Sequence, residues 1–295
     1  MKFISLRNTA MALGLAFTSA TTLASDQDAT TSVWEVSKGE DVVYIGGTIH
    51  ILPISEFPLP EVFTSTYEKS DTLVFEAELP DPADLAAQQK MMAALAYSNG
   101  KTLKDELSGD TYDALNTYLS AFGATADQLA GFRPGMVATT LVAMEAQRNQ
   151  LAGEGVDAYF TQLAKRDDKS REYLESLDFQ IQMLANMGKG EEDRLISETL
   201  ATLPELKTML TQTIKAWRVG NTEQINELVI DTFKRESPTS FDEVFTQRNQ
   251  NWIPHIEAMF GDDDQEFVLV GAGHLVGQDN VLKLLEAKGY KVVQL

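Results

Sequence analysis

The chain has 295 residues, with 44 acidic against 24 basic side chains for a formal charge of −20, three histidines and no cysteine. That charge argues against nucleic acid and anionic lipid as partners, because both demand a positive surface. The missing thiols exclude disulfides, cysteine nucleophiles, cysteine zinc sites and iron–sulfur clusters.

Lys2 and Arg7 precede an apolar run from Ala10 to Phe17, and small residues follow through Ser19, Ala20, Thr22, Ala24 and Ser25. This order reads as a secretory signal peptide over residues 1–25, with cleavage after Ala20 or Ala24; the alternative is a retained amphipathic helix. The run is too short to span a bilayer, and no later stretch approaches the roughly 20 apolar residues that a spanning helix needs. The expectation is a soluble exported protein, periplasmic in a Gram-negative cell, with no membrane insertion after signal removal. The absence of cysteine suits such an oxidising compartment. Residues 26–295 then form a single domain.

Residues 32–37 and 41–45 are β-rich and separated by Lys38-Gly39-Glu40, which is hairpin spacing. Pro58 and Pro60 mark a loop, and residues 61–69 can form a short helix just after Pro60. Residues 72–79 read as a strand stopped by Pro80. From about 82 to 165 the pattern is helical, with breaks at Gly100, Gly123, Gly131 to Pro134 and Gly153 to Gly155. A short strand is expected over 170–176, then helix again from 178 to about 261. Residues 266–270 form a buried-strand run, followed by a glycine-rich turn, a helix over about 279–288 and a terminal strand over 290–294. The fold class is therefore α/β with an α+β-like layout. A small mixed sheet is built from N- and C-terminal strands around a central helical block of about 82–261.

Two of the three histidines share a setting. Gly47-Thr48-Ile49-His50 and Gly271-Ala272-Gly273-His274 each follow an apolar strand, and Gly277 closes the second turn. A glycine there permits a sharp turn or a close approach, and the residue three further on is displayed at the sheet's carboxyl edge, where open α/β sheets bind ligands. A lone histidine after a strand is more often structural; the duplicated arrangement favours two imidazoles converging from opposite ends of the chain. In the strand over 72–79, Glu76 and Glu78 alternate onto one face. That pattern also describes a strand with one solvent face; the competing reading sets Glu76 beside His50 and His274. Two neutral imidazoles and one carboxylate suit zinc, manganese, iron or cobalt, with positions left open for water and substrate. His255, after Pro254 in a helical stretch, reads as a surface or capping residue.

These motifs resemble the paired Gly-x-x-His motifs of the TraB/GumN family, which includes the Tiki proteins. Leu73-Val74-Phe75-Glu76-Ala77-Glu78 is similar to the family's glutamate strand. Gly155-Val156-Asp157 with Ala164, then Leu174-Glu175-Ser176 with Gln180, resembles its middle segment, and Arg248-Asn249 its late Arg-Asn helix. The resemblance implies a fold similar to the erythromycin-esterase-like and ChaN-like group. In the Tiki branch it implies a metal-dependent peptidase using those histidines and the glutamate. The expected roles are His50, Glu76 and His274 as ligands of a divalent metal (manganese, cobalt or zinc), and Glu78 as general base or further ligand. Arg248 is expected to stabilise an oxyanion, and Glu175, Gln180 and Asn249 to support the ligands or touch substrate. The expected substrate is a peptide or another small envelope molecule. The alternative is a non-catalytic envelope protein that sequesters a peptide or a metal-bearing ligand in the same cleft.

Overall fold

The computed structural model describes residues 30–78, 83–261 and 263–295. The signal-peptide reading and its cleavage positions at Ala20 or Ala24 therefore lie outside the described residues. Strands β1 (Val33–Lys38) and β2 (Asp41–Thr48) form a hairpin in which Lys38 opposes Asp41. Gly39 takes the first position of the two-residue loop at φ 70°, a conformation a side chain would strain.

β2 runs three residues beyond its expected end, through Gly46 and Gly47, and pairs in parallel with β5 (Glu266–Gly271). The glycines are thus inside the strand rather than at a turn. A Cβ on Gly46 would stand 2.7 Å from the Phe267 ring, so close packing is what demands glycine.

Strands β3 (Thr72–Phe75), β4 (Ser170–Tyr173) and β6 (Lys291–Gln294) complete a six-stranded sheet in the order β4-β3-β5-β2-β1-β6. β3 is parallel to both β4 and β5, and β1 is antiparallel to both its neighbours. One face carries Phe267 and Leu269 against Phe63, Phe160 and Trp217; the other carries Val268 and Val270 against Trp252, Ile256 and Leu285. β5 is apolar at successive positions because both its faces are covered. The helices between β3 and β5 build a further apolar cluster of their own around Leu115, Leu141 and Ile196. β4 comes from inside this helical block rather than from either terminus.

The glutamate strand is shorter than expected. β3 ends at Phe75, the last residue with a partner on both sides, and the chain bends at Glu76 and Ala77. Period-two alternation holds only while the backbone stays extended. Glu76 is buried, and Glu78 is exposed near Tyr173 rather than sharing its face. Among the described residues, no helix is long and apolar enough to cross a membrane.

Candidate active site

Four parallel strands end side by side, and the residues just beyond them carry the polar chemistry of this edge. His50 follows β2, Glu76 follows β3, Glu175 follows β4, and His274 lies in the 3₁₀ turn Ala272–Leu275 after β5. The two histidines come from neighbouring strands in register, with Thr48 opposite Gly271. A Cβ placed on Gly271 would lie 3.3 Å from Glu76 Oε1, 3.4 Å from His50 Nε2 and 3.6 Å from His274 Cδ2. Three side chains from distant parts of the chain surround one point, and the missing side chain of Gly271 leaves it open. Gly273 makes room for the Phe245 ring in the same way, at 2.8 Å, and Gly47 lets Ala272 approach to 3.2 Å. Gly277 instead serves a backbone at φ 86°.

The helix Gln247–Ala258 inserts Arg248 into this cluster. Its Nη2 donates to Glu76 Oε2 at 2.5 Å and to Glu175 Oε1 at 2.6 Å, and its Nε donates to both Glu175 oxygens at 3.1 Å. Nη1 donates to the Val244 carbonyl at 3.3 Å and to His274 Nε2 at 3.2 Å. Guanidinium has no acceptor, so His274 Nε2 must present its lone pair to it and carry its proton on Nδ1. That proton goes to Asn249 Oδ1 at 2.6 Å, and the Asn249 amide is oriented by donating to the Asp279 carbonyl at 2.8 Å. The remaining valences of the acids are also filled. The Gly271 N–H donates to Glu76 Oε1 at 2.7 Å, Gln180 Nε2 bridges Glu76 and Glu175 at 3.2 and 3.0 Å, and Trp252 Nε1 donates to Glu175 Oε2 at 3.0 Å.

The electrostatics follow from these contacts. Burial drives the His274 imidazole down to about 3, and the pull of Glu76 the other way does not restore it. His274 is thus neutral at physiological pH, packed between the tilted rings of Trp252 and Phe245 at centroid distances of 4.5 and 5.0 Å. Burial alone would raise Glu76, but Arg248 foremost, with the nearby imidazoles and the Gly271 N–H, brings it to about 2. Since His274 is neutral, Arg248 carries most of that effect. Burial also opposes the charge on Arg248, and the two glutamates more than restore it.

His50 is held differently. Gly155 packs so tightly on the His50 backbone that a Cβ there would meet its carbonyl oxygen at 2.5 Å, and Val156 N–H donates to the Ile49 carbonyl at 3.0 Å. The helix Val156–Arg166 then presents Asp157 in its first turn, where Oδ2 accepts from His50 Nδ1 at 2.8 Å and Oδ1 from the Thr48 hydroxyl at 2.8 Å. Asp157 raises the His50 pKa, an effect that water screens because the side chain is 65% exposed. Nε2 is the nitrogen left facing Gly271. Asp157 stands out in the sequence only as part of a motif; its place two residues after Gly155, at a helix start, is the available signal.

Of the residues singled out in the sequence, the structure brings together His50, Glu76, His274, Arg248, Asn249, Glu175 and Gln180. Glu78 does not join them, and a general-base role for it is corrected by the end of β3 at Phe75. Arg248 is buried between two carboxylates rather than free to meet an oxyanion. His255 is exposed on the far turns of its helix.

Two imidazoles and a carboxylate have the right chemistry for a divalent ion, but their arrangement does not fit one. His50 Nε2 and Glu76 Oε1 face the open point at Gly271, whereas His274 turns a ring carbon to it and commits Nε2 to Arg248. Among the described residues, no group of three or more His, Cys, Asp or Glu is set to hold a metal ion. Beside the cluster lies a cavity of about 770 Å³ that shares Phe245, Asn249 and Gly273 with the surroundings of His274. Its walls mix Ile230 and Phe241 with Asp231, Lys234 and Lys283.

An open, mostly parallel sheet with helices on its faces and a histidine–glutamate–arginine cluster at its carboxyl edge defines an α/β protein with its candidate site at the strand ends. A family model described as the TraB/PrgY/gumN family matches residues 32–294, and the chain belongs to that family. Among curated proteins it is similar to "Metalloprotease TIKI2" of Danio rerio, 22% identical over 327 residues that cover 91% of this chain and 61% of that protein. It is also similar to "Metalloprotease TIKI2" of Xenopus tropicalis, at 22% identity with 91% and 60% covered. "Metalloprotease TIKI1" of Danio rerio is 21% identical, with 90% and 63% covered. The chain thus spans about three-fifths of the length of the curated relatives it matches. No solved structure matches it.

Proposed function

We propose that this chain is a hydrolase acting on a peptide or another small substrate in the cell envelope, with its reaction centre at His50, Glu76 and His274. The observation that carries the reading is the convergence of these three side chains on Gly271, from three separate strand ends. The relatives are named metalloproteases, which supports the reaction class and a dependence on a divalent metal; manganese, cobalt or zinc is the metal we expect. Because the donors as arranged do not fit an ion, no step is assigned to one.

This chain's own residues do the following. Asp157 holds the His50 ring so that Nε2 faces the open point and can give or take a proton there. Asn249 holds His274 in a single tautomer. Glu76 stays ionised beside them, and the neighbouring cavity receives the rest of the substrate.

The test is hydrolysis of a peptide library by purified protein with added Mn²⁺, Co²⁺ or Zn²⁺. Metal-stimulated cleavage that is lost in His50→Ala and in His274→Ala supports the reading, and cleavage undiminished in both variants overturns it. The second reading, a non-catalytic binding protein, is favoured by Arg248, whose pairing with both carboxylates leaves the centre already satisfied. It predicts ligand retention without turnover, unaffected by chelator. Export to the periplasm belongs to the same proposal, and its test is the N-terminal sequence of the protein recovered from the envelope fraction.

A further inference from the structure

The geometry points to Arg248 as a resident cation that fills this centre in place of a metal ion: guanidinium and divalent ion compete for the same histidine lone pair and the same carboxylate. The inference takes its donor set, His50, Glu76 and His274, from the proposed function.

A neutral imidazole has one lone pair. That of His274 is spent on Arg248 Nη1 at 3.2 Å, because Nδ1 is the protonated nitrogen facing Asn249. Glu76 has both oxygens engaged, one by the Gly271 N–H and the other by Arg248 and Gln180. Two carboxylates and one guanidinium leave the buried group at a formal charge of −1, so it already contains its cation. The guanidinium is held by both acids, by Glu175 through Nε and Nη2 and by Glu76 through Nη2, while Nη1 reaches His274. Because the guanidinium is a rigid plane, Nη1 keeps the His274 lone pair for as long as the two acids hold the other nitrogens. Trp252, which lies against the guanidinium at 4.7 Å and also donates to Glu175, helps to hold the arginine in place.

The experiment is Co²⁺ binding to the full chain, followed by calorimetry and by the visible absorption of the bound ion, in four proteins. These are the parent, Arg248→Met, Arg248→Lys and the double variant Arg248→Met/His274→Ala. Arg248→Met is expected to bind Co²⁺ at least tenfold more tightly than the parent, and the double variant to lose that gain. Arg248→Lys is expected to fall between, because a lysine keeps the positive charge but donates from one point and cannot span both acids and His274. Equal affinity in the parent and Arg248→Met overturns the inference, as does a gain that persists without His274. Should Arg248→Met fail to fold, the parent and Arg248→Lys decide the matter, and equal affinity in those two overturns it. Failure of the hydrolase reading looks different: no variant cleaves peptide, while the Co²⁺ series behaves as described.

Discussion

Asn249 and Glu76 each hold a charge or a proton where water cannot help, and each makes a prediction. Asn249 accepts the His274 Nδ1 proton inside the protein. Asn249→Leu strands that donor, and an orphaned buried group costs about 1–3 kcal/mol. Urea unfolding should show a loss of that size; a variant as stable as the parent would contradict the hydrogen bond. Asn249→Asp keeps an acceptor and adds a negative charge, so the His274 imidazole should titrate at a higher pH, read by NMR of its ring nitrogens. Glu76 has a folded pKa near 2 against an ordinary 4.5, a depressed carboxylate. Its contribution to stability is therefore complete above about 4.5 and is lost as the pH falls through about 2. The stability gap between the parent and Glu76→Gln should be widest above pH 4.5 and close on acidification. A gap independent of pH would mean that Glu76 is not held ionised by Arg248.

At the scale of elements, close packing of strands explains the glycines better than turning does. Gly46 lies within β2 and faces Phe267 of β5 across the sheet's central pair. Gly46→Ala places a methyl 2.7 Å from that ring, an overpacking that costs about 1–3 kcal/mol. Phe267→Leu in the same chain should return part of the loss, and additive effects in the double-mutant cycle would count against the contact. Gly109, the first residue of the helix Gly109–Ser120, has nothing within 4 Å of where an added methyl would stand, so Gly109→Ala should be neutral or slightly stabilising in the same assay. The elements that position the site are also joined by contacts the sequence does not advertise. His50 and Asp157 are 107 residues apart, and Arg248 and Glu76 are 172 apart.

For the whole molecule, the surplus of acids sets the response to salt. A formal charge of −20 repels itself in the compact state more than in the extended one. Screening shortens that repulsion from a range of about 30 Å at 0.01 M to about 10 Å at 0.1 M. The melting temperature should rise between those ionic strengths, and a fall would mean that attractive surface pairs outweigh the net repulsion. The buried Arg248–Glu76–Glu175 network should be insensitive to the same change, because salt does not enter it.

The two Gly-x-x-His turns, the carboxyl edge on which they lie and the mixed sheet with a helical block are legible from residue order alone. Their signals are local: β-rich runs and a glycine three residues before each histidine, although in β2 the glycines prove to lie within the strand. Alternation misplaces Glu78 because the strand ends at Phe75 and the chain bends at Glu76 and Ala77. The part played by Asp157 is legible only as membership of the Gly155-Val156-Asp157 motif; that it meets His50 is not, because the two lie 107 residues apart. Sequence by itself determined which side chains are available for chemistry and roughly where along the strands they stand. Only the tertiary structure decided what each one faces. Direction and burial depend on register between strands and on the helix that carries Arg248, and both are set by packing across the whole chain. A buried guanidinium between two acids turns what reads as an open donor set into one that already holds its counter-charge.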